Sequence, residues 1–331
     1  MNKTNRICFA TDIHGDMQKL AQLEEVIEIE QPGTLILGGD TCPTAFHNHG
    51  VEEQRHWLET NFREFLERIQ PVQTFWCSGN HDLFGALDIV EELEQNGLLV
   101  NCNLKWLELE SGWQAIGMPY CPVSGNPYGD WHRLEANNKI PSYVPEISYI
   151  SSSGKIQAIN SREYLGSLSS IKKILNEIPQ SDDPQKAIFI AHCPPFIRTL
   201  DSGAKKRLGS RAILKHIQEK GYALTCHGHI HESPYVSGAW STRIGNSWSI
   251  NPGQWDENLH AVIIDLSHFP ESGRHLLFGS MVQGKSPRRK RSEIQKEIQS
   301  KWESAGFVAR QSRIRMLVNK IVGYFVNKDK V

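Results

Sequence analysis

The chain lacks the features that mark a membrane or secreted protein. It has no long apolar run, and the apolar stretch at residues 7–10 is too short to be the hydrophobic part of a signal peptide. We therefore predict no membrane span and a cytoplasmic location. The formal net charge is −1, so the overall charge indicates no particular partner.

Disulfide bonds are not expected either. The seven cysteines form no Cys-x-x-Cys pair, and their odd number argues against a closed disulfide framework. Several lie in apolar, strand-like runs, which is typical of buried thiols in a reducing compartment. Cys42 and Cys193 follow candidate metal ligands closely, and we interpret both as packing residues.

What the chain does have is a regular alternation of strand-like and helix-like segments. With 331 residues it is long enough for one large domain or two small ones. The first segments are predicted strands at 6–11, 34–37 and 72–77, each followed by an amphipathic helix, at 17–30, 51–69 and 84–95. This alternation predicts a parallel α/β sheet with its functional site at the carboxyl ends of the strands.

The pattern changes after residue 98. Residues 118–160 are rich in Pro, Asn, Ser, Gly and Tyr, and we interpret them as a long insertion or lid. Further on, the pattern predicts helices at 161–178 and 211–220 and strands at 187–191 and 223–226. We expect this half to form a second sheet packed against the first.

A basic segment ends the chain. Residues 285–330 hold thirteen Lys or Arg against four Asp or Glu. One helical face there carries Ile314, Leu317, Val318, Ile321, Val322 and Phe325. We predict a domain at 1–284 and a basic amphipathic helical tail at 285–331.

Five predicted strands end in residues that bind metals. They offer Asp12 and His14, Asp40, Asn80 and His81, His192, and His229 and His231. Carboxylates, imidazoles and an amide carbonyl suit Mn²⁺, Fe²⁺ or Zn²⁺. These ligands are too many for one tetrahedral ion and suit two ions with a bridging carboxylate. Two ions about 3.5–4 Å apart can clamp the oxygens of a phosphoryl group and generate hydroxide near neutral pH.

Taken together, these motifs resemble the calcineurin-like metallophosphoesterase family. The resemblance rests on Asp12-Ile-His14, Gly39-Asp40, Gly79-Asn80-His81-Asp82, His192 and Gly228-His229-Ile-His231, and it runs from about residue 6 to 266. It implies a four-layer α/β/β/α sandwich, to which the tail would add a C-terminal helical extension. It also implies a dinuclear metal-dependent phosphoric ester hydrolase.

The resemblance further implies roles for individual residues. Asp12, His14 and His231 would hold the first metal ion, and Asn80, His192 and His229 the second. Asp40 would bridge the ions, which are Mn, Fe, Zn or Ni, with Mn favoured. A hydroxide bridging the two ions would attack phosphorus.

Two further roles concern the residues next to Asn80. His81 would contact the phosphate and protonate the leaving oxygen, with Asp82 orienting its ring. One departure from the family is that many relatives carry Asp or Asn three residues after the bridging Asp. Here Thr41-Cys42-Pro43 follows Asp40.

Other polar residues near these motifs have ordinary explanations. We interpret Asp16 as a helix N-terminal charge and His227 as a residue at a strand end. His47, His49 and His56 are expected to cover a solvated loop or helix face.

Three functions remain open at this stage. The stretch from His192-Cys-Pro-Pro195 to Asn251-Pro-Gly253 resembles a bacterial and archaeal branch of small metallophosphoesterases, and Gly-His-Ile-His-Glu232 is shared with animal phosphodiesterases. Both resemblances favour phosphodiester over protein-phosphate substrates without identifying the substrate. The first hypothesis is a phosphodiesterase acting on cyclic nucleotides or similar diesters, with Arg198 and Arg211 as candidate substrate contacts. The alternatives are a DNA or RNA nuclease that uses the basic tail, and a phosphoesterase subunit docked to a protein partner or to itself through 285–331.

Overall fold

The structure is a computed structural model that describes residues 5–44, 50–124, 127–136, 140–152 and 155–304. The chain divides into two compact units, residues 1–288 and 289–331. The boundary predicted at 284 stays a prediction, and so does the role of 118–160 as a lid. His47, His49 and the apolar tail face at 314–325 lie outside the described residues.

Nine α-helices lie in the described residues. They are α1 (Met17–Glu30), α2 (Gly50–Trp57), α3 (Arg63–Arg68), α4 (Leu87–Gln95), α5 (Ser161–Ser167), α6 (Ile171–Glu177), α7 (Arg211–Lys220), α8 (Ser233–Ser237) and α9 (Arg291–Ser304). A π-helical segment, Leu58–Phe62, joins α2 to α3, so the helix predicted at 51–69 forms with an irregular middle. Among the described helices, none combines the length and the apolar character needed to cross a membrane.

The same residues contain seventeen strands. They are β1 (Arg6–Ala10), β2 (Thr34–Leu37), β3 (Gln73–Trp76), β4 (Val100–Asn101), β5 (Leu107–Glu108), β6 (Gln114–Met118), β7 (Cys121–Pro122), β8 (His132–Arg133), β9 (Ile147–Ser152), β10 (Lys155–Asn160), β11 (Ala187–Ala191), β12 (Leu224–Cys226), β13 (Ser241–Ile244), β14 (Ser247–Ile250), β15 (Ala261–Asp265), β16 (Arg274–His275) and β17 (Gly279–Ser280).

Two large sheets form the centre of the first unit. One has the order β17-β16-β15-β1-β2-β3-β4, and the other has the order β13-β14-β12-β11-β6-β5. In the first sheet, β1 to β4 are parallel as predicted, while β15 joins β1 in the antiparallel sense. In the second sheet, β6, β11, β12 and β14 are parallel.

Alternating side chains on the strands define the layers. On β1, Cys8 and Ala10 pack with α1 to α4, whereas Ile7 and Phe9 point the other way and meet the second sheet. On β11, Ile188 and Ile190 face the first sheet, and Phe189 packs with α6 and α7. The predicted four-layer α/β/β/α sandwich is therefore confirmed, and both sheets are buried on both faces.

One helix that was predicted as continuous is interrupted in the structure. The pattern at 161–178 predicts a single helix, but α5 ends at Ser167 and α6 begins at Ile171. The Ser170 side chain accepts a hydrogen bond from the Lys173 N–H at 3.3 Å, so it begins a new helix. Serine favours this capping position over a helix interior.

Candidate metal centre

Strained backbone marks the loops that follow the strands. Asp12, His14, Asp40 and His229 have positive φ angles of 57°, 54°, 50° and 66°. Non-glycine residues rarely adopt this left-handed conformation, and such strain persists only where the surroundings fix it. Here the N–H of Asp12 donates to the carbonyl of Gly39, and the N–H of His14 donates to the carbonyl of Asp40, both at 2.9 Å. The loops after β1 and β2 therefore hold each other in place.

Asp12, His14 and His231 form a first group of candidate ligands. One ligand atom from each lies within 4.8 Å of the other two. Nε2 of His14 is 3.2 Å from Nε2 of His231, which is 3.2 Å from Oδ1 of Asp12. The Thr44 hydroxyl lies 2.9 Å from Nδ1 of His14 and fixes the ring so that its other nitrogen faces the group.

A second group forms at the ends of β11 and β12. His192, His229 and Cys121 bring their ligand atoms within 4.8 Å of one another. Nδ1 of His192 lies 3.0 Å from the carbonyl of Gly38, so Nε2 is the atom turned toward the group. The rings of His192 and His229 meet edge to face, with centroids 5.3 Å apart.

Asp40 lies between the two groups. Its Oδ2 is 3.1 Å from Nε2 of His192 and 3.7 Å from Nε2 of His14. Its Oδ1 accepts the backbone N–H of His81 at 2.7 Å. One carboxylate oxygen is therefore within reach of both groups, while the other is held by the neighbouring loop.

Burial and neighbouring charges shift the pKa values of these side chains. Burial raises the pKa of Asp12, but nearby His231 outweighs it and lowers that pKa to about 2. Burial lowers the pKa of His14 and of His229 to about 3, so both rings are neutral near pH 7. Burial also lowers the pKa of His192, but the Asp40 carboxylate outweighs it and raises that pKa to about 10.

These features fit divalent ions. Nε2 of His192 is buried and has no hydrogen-bond partner of acceptable geometry among the described residues, although it faces Asp40. Two buried carboxylates surrounded by imidazole nitrogens are a donor set that divalent transition metals prefer. Asp12, Asp40 and His192 form a third group within 4.8 Å that joins the other two.

The Gly-Asn-His-Asp loop after β3 lies beside this centre. The two oxygens of Asp82 accept the N–H groups of Cys42 and Gly79, each at 2.8 Å, which ties this loop to the one after β2. Burial raises the pKa of Asp82 to about 7. The rings of His81 and His14 meet edge to face, with centroids 5.1 Å apart.

Three glycines of the motifs allow the loops that carry the candidate ligands to approach one another closely. A Cβ on Gly39 would overlap the His192 ring, one on Gly79 would overlap Asp40, and one on Gly228 would overlap Asp12. Each glycine precedes a candidate ligand and touches a ligand from another strand. The Gly-Asp, Gly-Asn-His-Asp and Gly-His patterns therefore have a steric cause.

The two predicted substrate contacts have local partners of their own. The Arg211 guanidinium lies 4.0 Å from the centre of the Phe196 ring, and it lines a pocket with Glu135, Lys172 and Glu219. The Arg198 side chain is exposed, and the carbonyl of Arg198 accepts a hydrogen bond from the Ser202 hydroxyl. Their roles in substrate binding stay predictions.

His227 and Asp16 have structural partners. Nδ1 of His227 lies 2.8 Å from the carbonyl of Ala191, and its Nε2 lies 2.8 Å from the Thr225 hydroxyl. Both ring nitrogens are thus used inside the second sheet. Asp16 caps α1, because its Oδ1 accepts the N–H groups of Gln18 and Lys19.

Cys121 is the candidate ligand that the sequence reasoning missed. It comes three residues after Met118, the last residue of β6, and β6 is the parallel neighbour of β11. The signal was present, since every other candidate ligand also follows a strand. It was hidden because residues 118–160 were interpreted as an insertion.

The fold and the metal centre together define a metallophosphoesterase. The profile of the calcineurin-like phosphoesterase family matches residues 5–233. The chain belongs to that family and is a metal-dependent phosphoester hydrolase. The predicted family is confirmed, and the matched range includes every candidate metal ligand.

Solved structures give distant likenesses. TT1561 of Thermus thermophilus is 14% identical with a TM-score of 0.47, and the match covers 80% of this chain and 95% of that one. An archaeal phosphodiesterase is 10% identical with a TM-score of 0.38, covering 82% and 98%. GAP50 of Plasmodium is 12% identical with a TM-score of 0.40, covering 86% and 89%. Identities this low carry no information on substrate. No curated protein matches the chain.

Proposed function

We propose that the protein is a phosphodiesterase with a dinuclear metal centre. The observation that carries the proposal is the position of Asp40, whose Oδ2 lies within 3.7 Å of imidazole nitrogens from both ligand groups. A carboxylate between two sets of imidazole nitrogens is what two bridged divalent ions require. Ions bound there would polarise the phosphoryl oxygens and lower the pKa of water.

The proposed ligand sets follow the two groups. Asp12, His14 and His231 would hold one ion, and Asn80, His192 and His229 the other, with Asp40 shared. The buried positions of Asp12, Asp40 and Asn80 support this assignment, because each is at most 2% exposed and lies at a strand end that faces the centre. Mn²⁺ is the favoured ion, with Fe, Zn and Ni as alternatives.

His81 is the proposed acid. Its backbone N–H is fixed by Asp40 at 2.7 Å, and its ring meets the ring of His14. Burial lowers the pKa of His81, so its ring is neutral until a phosphate approaches. The negative charge of the phosphate would favour a proton on the ring, and His81 would pass that proton to the leaving oxygen. Asp82 is proposed to orient His81 by fixing the loop that carries it.

A diester is the proposed substrate, with nucleotides as the first class to examine. One observation supports the alternative that the protein is a nuclease: residues 285–330 contain thirteen basic and only four acidic residues. The same segment is the proposed surface for a protein partner or for self-association. The seven cysteines are all free thiols, which supports a reducing, cytoplasmic location.

The test compares bis-p-nitrophenyl phosphate with p-nitrophenyl phosphate after chelation and addition of Mn²⁺. We expect metal-dependent turnover that favours the diester. We expect Asp40→Asn to lower it more than about a hundredfold and to lower bound metal, since even outer partners of ligands cost about 10–100-fold. Asp88→Asn is the matched control, because Asp88 pairs with Arg55 at the surface. Bound metal without diester turnover would contradict the diesterase, and no bound metal would contradict the whole proposal.

A further inference from the structure

Cys121 stands out among the buried thiols because it faces metal-binding nitrogens. Its Sγ lies within 4.8 Å of ligand atoms of both His192 and His229. The side chain is fully buried and lies 3.9 Å from Oδ1 of Asn80. The sulfur therefore lies near Asn80, His192 and His229, the three side chains that are proposed to bind the second ion only.

Three neighbouring, hydrogen-bonded strands lead to the residues that supply these atoms. His192 follows β11, His229 follows β12, and Cys121 follows β6, which pairs with β11 over five residues. The N–H of His192 donates to the carbonyl of Met118 at 3.3 Å, so the segment leading to Cys121 is tied to the histidine. A sulfur held in this way can ligate an ion without moving a loop.

The two ends of the centre also differ in chemistry. The first group offers a carboxylate and two imidazoles, whereas the second offers a thiol, two imidazoles and an amide oxygen. Thiolate is a soft donor that selects Zn²⁺ and similar ions over Mn²⁺, while carboxylate oxygen suits Mn²⁺. Within the part of the chain that the structure describes, the candidate ligand groups thus include a soft donor on one side of Asp40 only.

We propose that the Cys121 thiolate is a ligand of the ion held by His192 and His229, and that it makes this position select thiophilic ions such as Zn²⁺. The inference rests on the proposed dinuclear centre and adds an asymmetry to it: the position at Asp12, His14 and His231 takes the harder ion. In binding the metal, the thiol loses its proton to solvent, and a sulfur–metal bond forms with no change of oxidation state.

The opposing explanation is that Cys121 only positions Asn80. In that case the S–H group donates a weak hydrogen bond to Oδ1 of Asn80 and never touches the ion. Absorption by bound Co²⁺ separates the two explanations, because a thiolate ligand gives an intense sulfur-to-cobalt band in the near ultraviolet. Imidazole and carboxylate ligands give only the weaker visible bands of the ion itself.

The experiment uses the full chain, stripped with a chelator and titrated with Co²⁺. We expect wild type to show both the visible bands and the sulfur-to-cobalt band, and Cys121→Ser to lose the second while keeping the first. Cys193→Ser is the matched control, because Cys193 is buried in the same cluster, and it should keep both. Cys121→Ala replaces the serine variant if the latter fails to fold.

Each outcome decides one claim. Visible bands without the sulfur-to-cobalt band in wild type would overturn the inference and leave the metal centre intact. Loss of the band in Cys193→Ser but not in Cys121→Ser would also overturn it. No cobalt spectrum at all would contradict the proposed function itself. Competition between Zn²⁺ and Mn²⁺, read by elemental analysis, should shift toward Mn²⁺ in Cys121→Ser.

Discussion

At the scale of single residues, the metal centre depends on side chains that are absent as much as on those that are present. Gly228 has no Cβ, and a Cβ there would overlap the Thr11 hydroxyl and Oδ2 of Asp12. These atoms cannot retreat, because Asp12 is 1% exposed and accepts the N–H of His229 on both oxygens at 3.1 Å. The glycine therefore sets how closely the β12 loop approaches β1.

We predict that Gly228→Ala displaces Asp12 and weakens metal binding. Overpacking of this kind costs about 1–3 kcal/mol of stability, and the shifted ligand should lower bound metal and turnover together. Elemental analysis and urea unfolding measure the two effects. Gly166→Ala is the control, since Gly166 lies in α5 with open space around it and should be neutral or slightly stabilising. Unchanged metal content in Gly228→Ala would show that the contact can relax.

Most residues of this centre were predictable because they follow strands in a repeated pattern. Asp12, Asp40 and His229 could be named from the sequence, but their positive φ angles could not, since tertiary contacts impose the strain. The contact of Asp82 with Cys42 is also tertiary, because Cys42 lies on a different loop. Cys121 was missed because it lies in residues 118–160, whose composition is typical of an insertion rather than of a segment that ends a core strand.

At the scale of elements, α1 shows how a local signal fixes a boundary. Oδ1 of Asp16 accepts the N–H of Gln18 at 2.9 Å and that of Lys19 at 3.2 Å. Asp16→Ala should lower the free energy of unfolding by about 1 kcal/mol, because these N–H groups lose their acceptor. Asp16→Ser keeps an acceptor and should lose much less. Equal stability of the two variants in urea unfolding would contradict the capping role.

A buried histidine of helix α7 should make the stability of the protein depend on pH. Its residue His216 is 4% exposed, and Nε2 of its ring lies 2.9 Å from the Tyr222 hydroxyl. Burial, and then the charge of Lys220, lower the pKa of His216 to about 4, while Glu219 opposes them. The unfolded chain therefore binds more protons at this residue between about pH 4 and its ordinary pKa of about 6.5, so stability falls as the pH falls through that window.

His216→Gln removes this proton uptake and tests its source. The slope of unfolding free energy against pH should decrease by up to about 1.4 kcal/mol per pH unit between pH 4 and 6.5. His56→Gln is the control, because His56 is exposed on α2. The candidate metal-ligand histidines are present in the wild type and in both variants, so only the difference between slopes matters. Parallel curves for wild type and His216→Gln would contradict the prediction.

At the scale of the whole molecule, the sequence predicts the layers better than the connections. Alternating burial on β1 and β11 gives two faces for each sheet, and the sandwich follows from covering all of them. The antiparallel place of β15 beside β1 could not be read from the chain, since the two strands lie at opposite ends of the domain sequence. Local periodicity carries no information on such pairings.

The function of the C-terminal segment can be tested by truncating the chain. The residue at which the chain is truncated matters. The N–H of Ser286 donates to the carbonyl of Gly238, and its hydroxyl donates to that of Pro234. Pro234 lies in α8, which follows His231 and Glu232. A cut after residue 284 would therefore remove contacts close to a candidate metal ligand. The chain 1–288 keeps them and ends where the first compact unit ends.

We expect the chain 1–288 to retain bound metal and turnover of bis-p-nitrophenyl phosphate. If the tail binds nucleic acid, cleavage of DNA or RNA should fall and lose most of its steep salt dependence, because most of the basic residues that displace counterions are gone. Equal nuclease activity in both chains would remove the tail from that function and leave docking to a protein as its proposed use. Loss of metal in the shorter chain would instead show that the tail stabilises the centre.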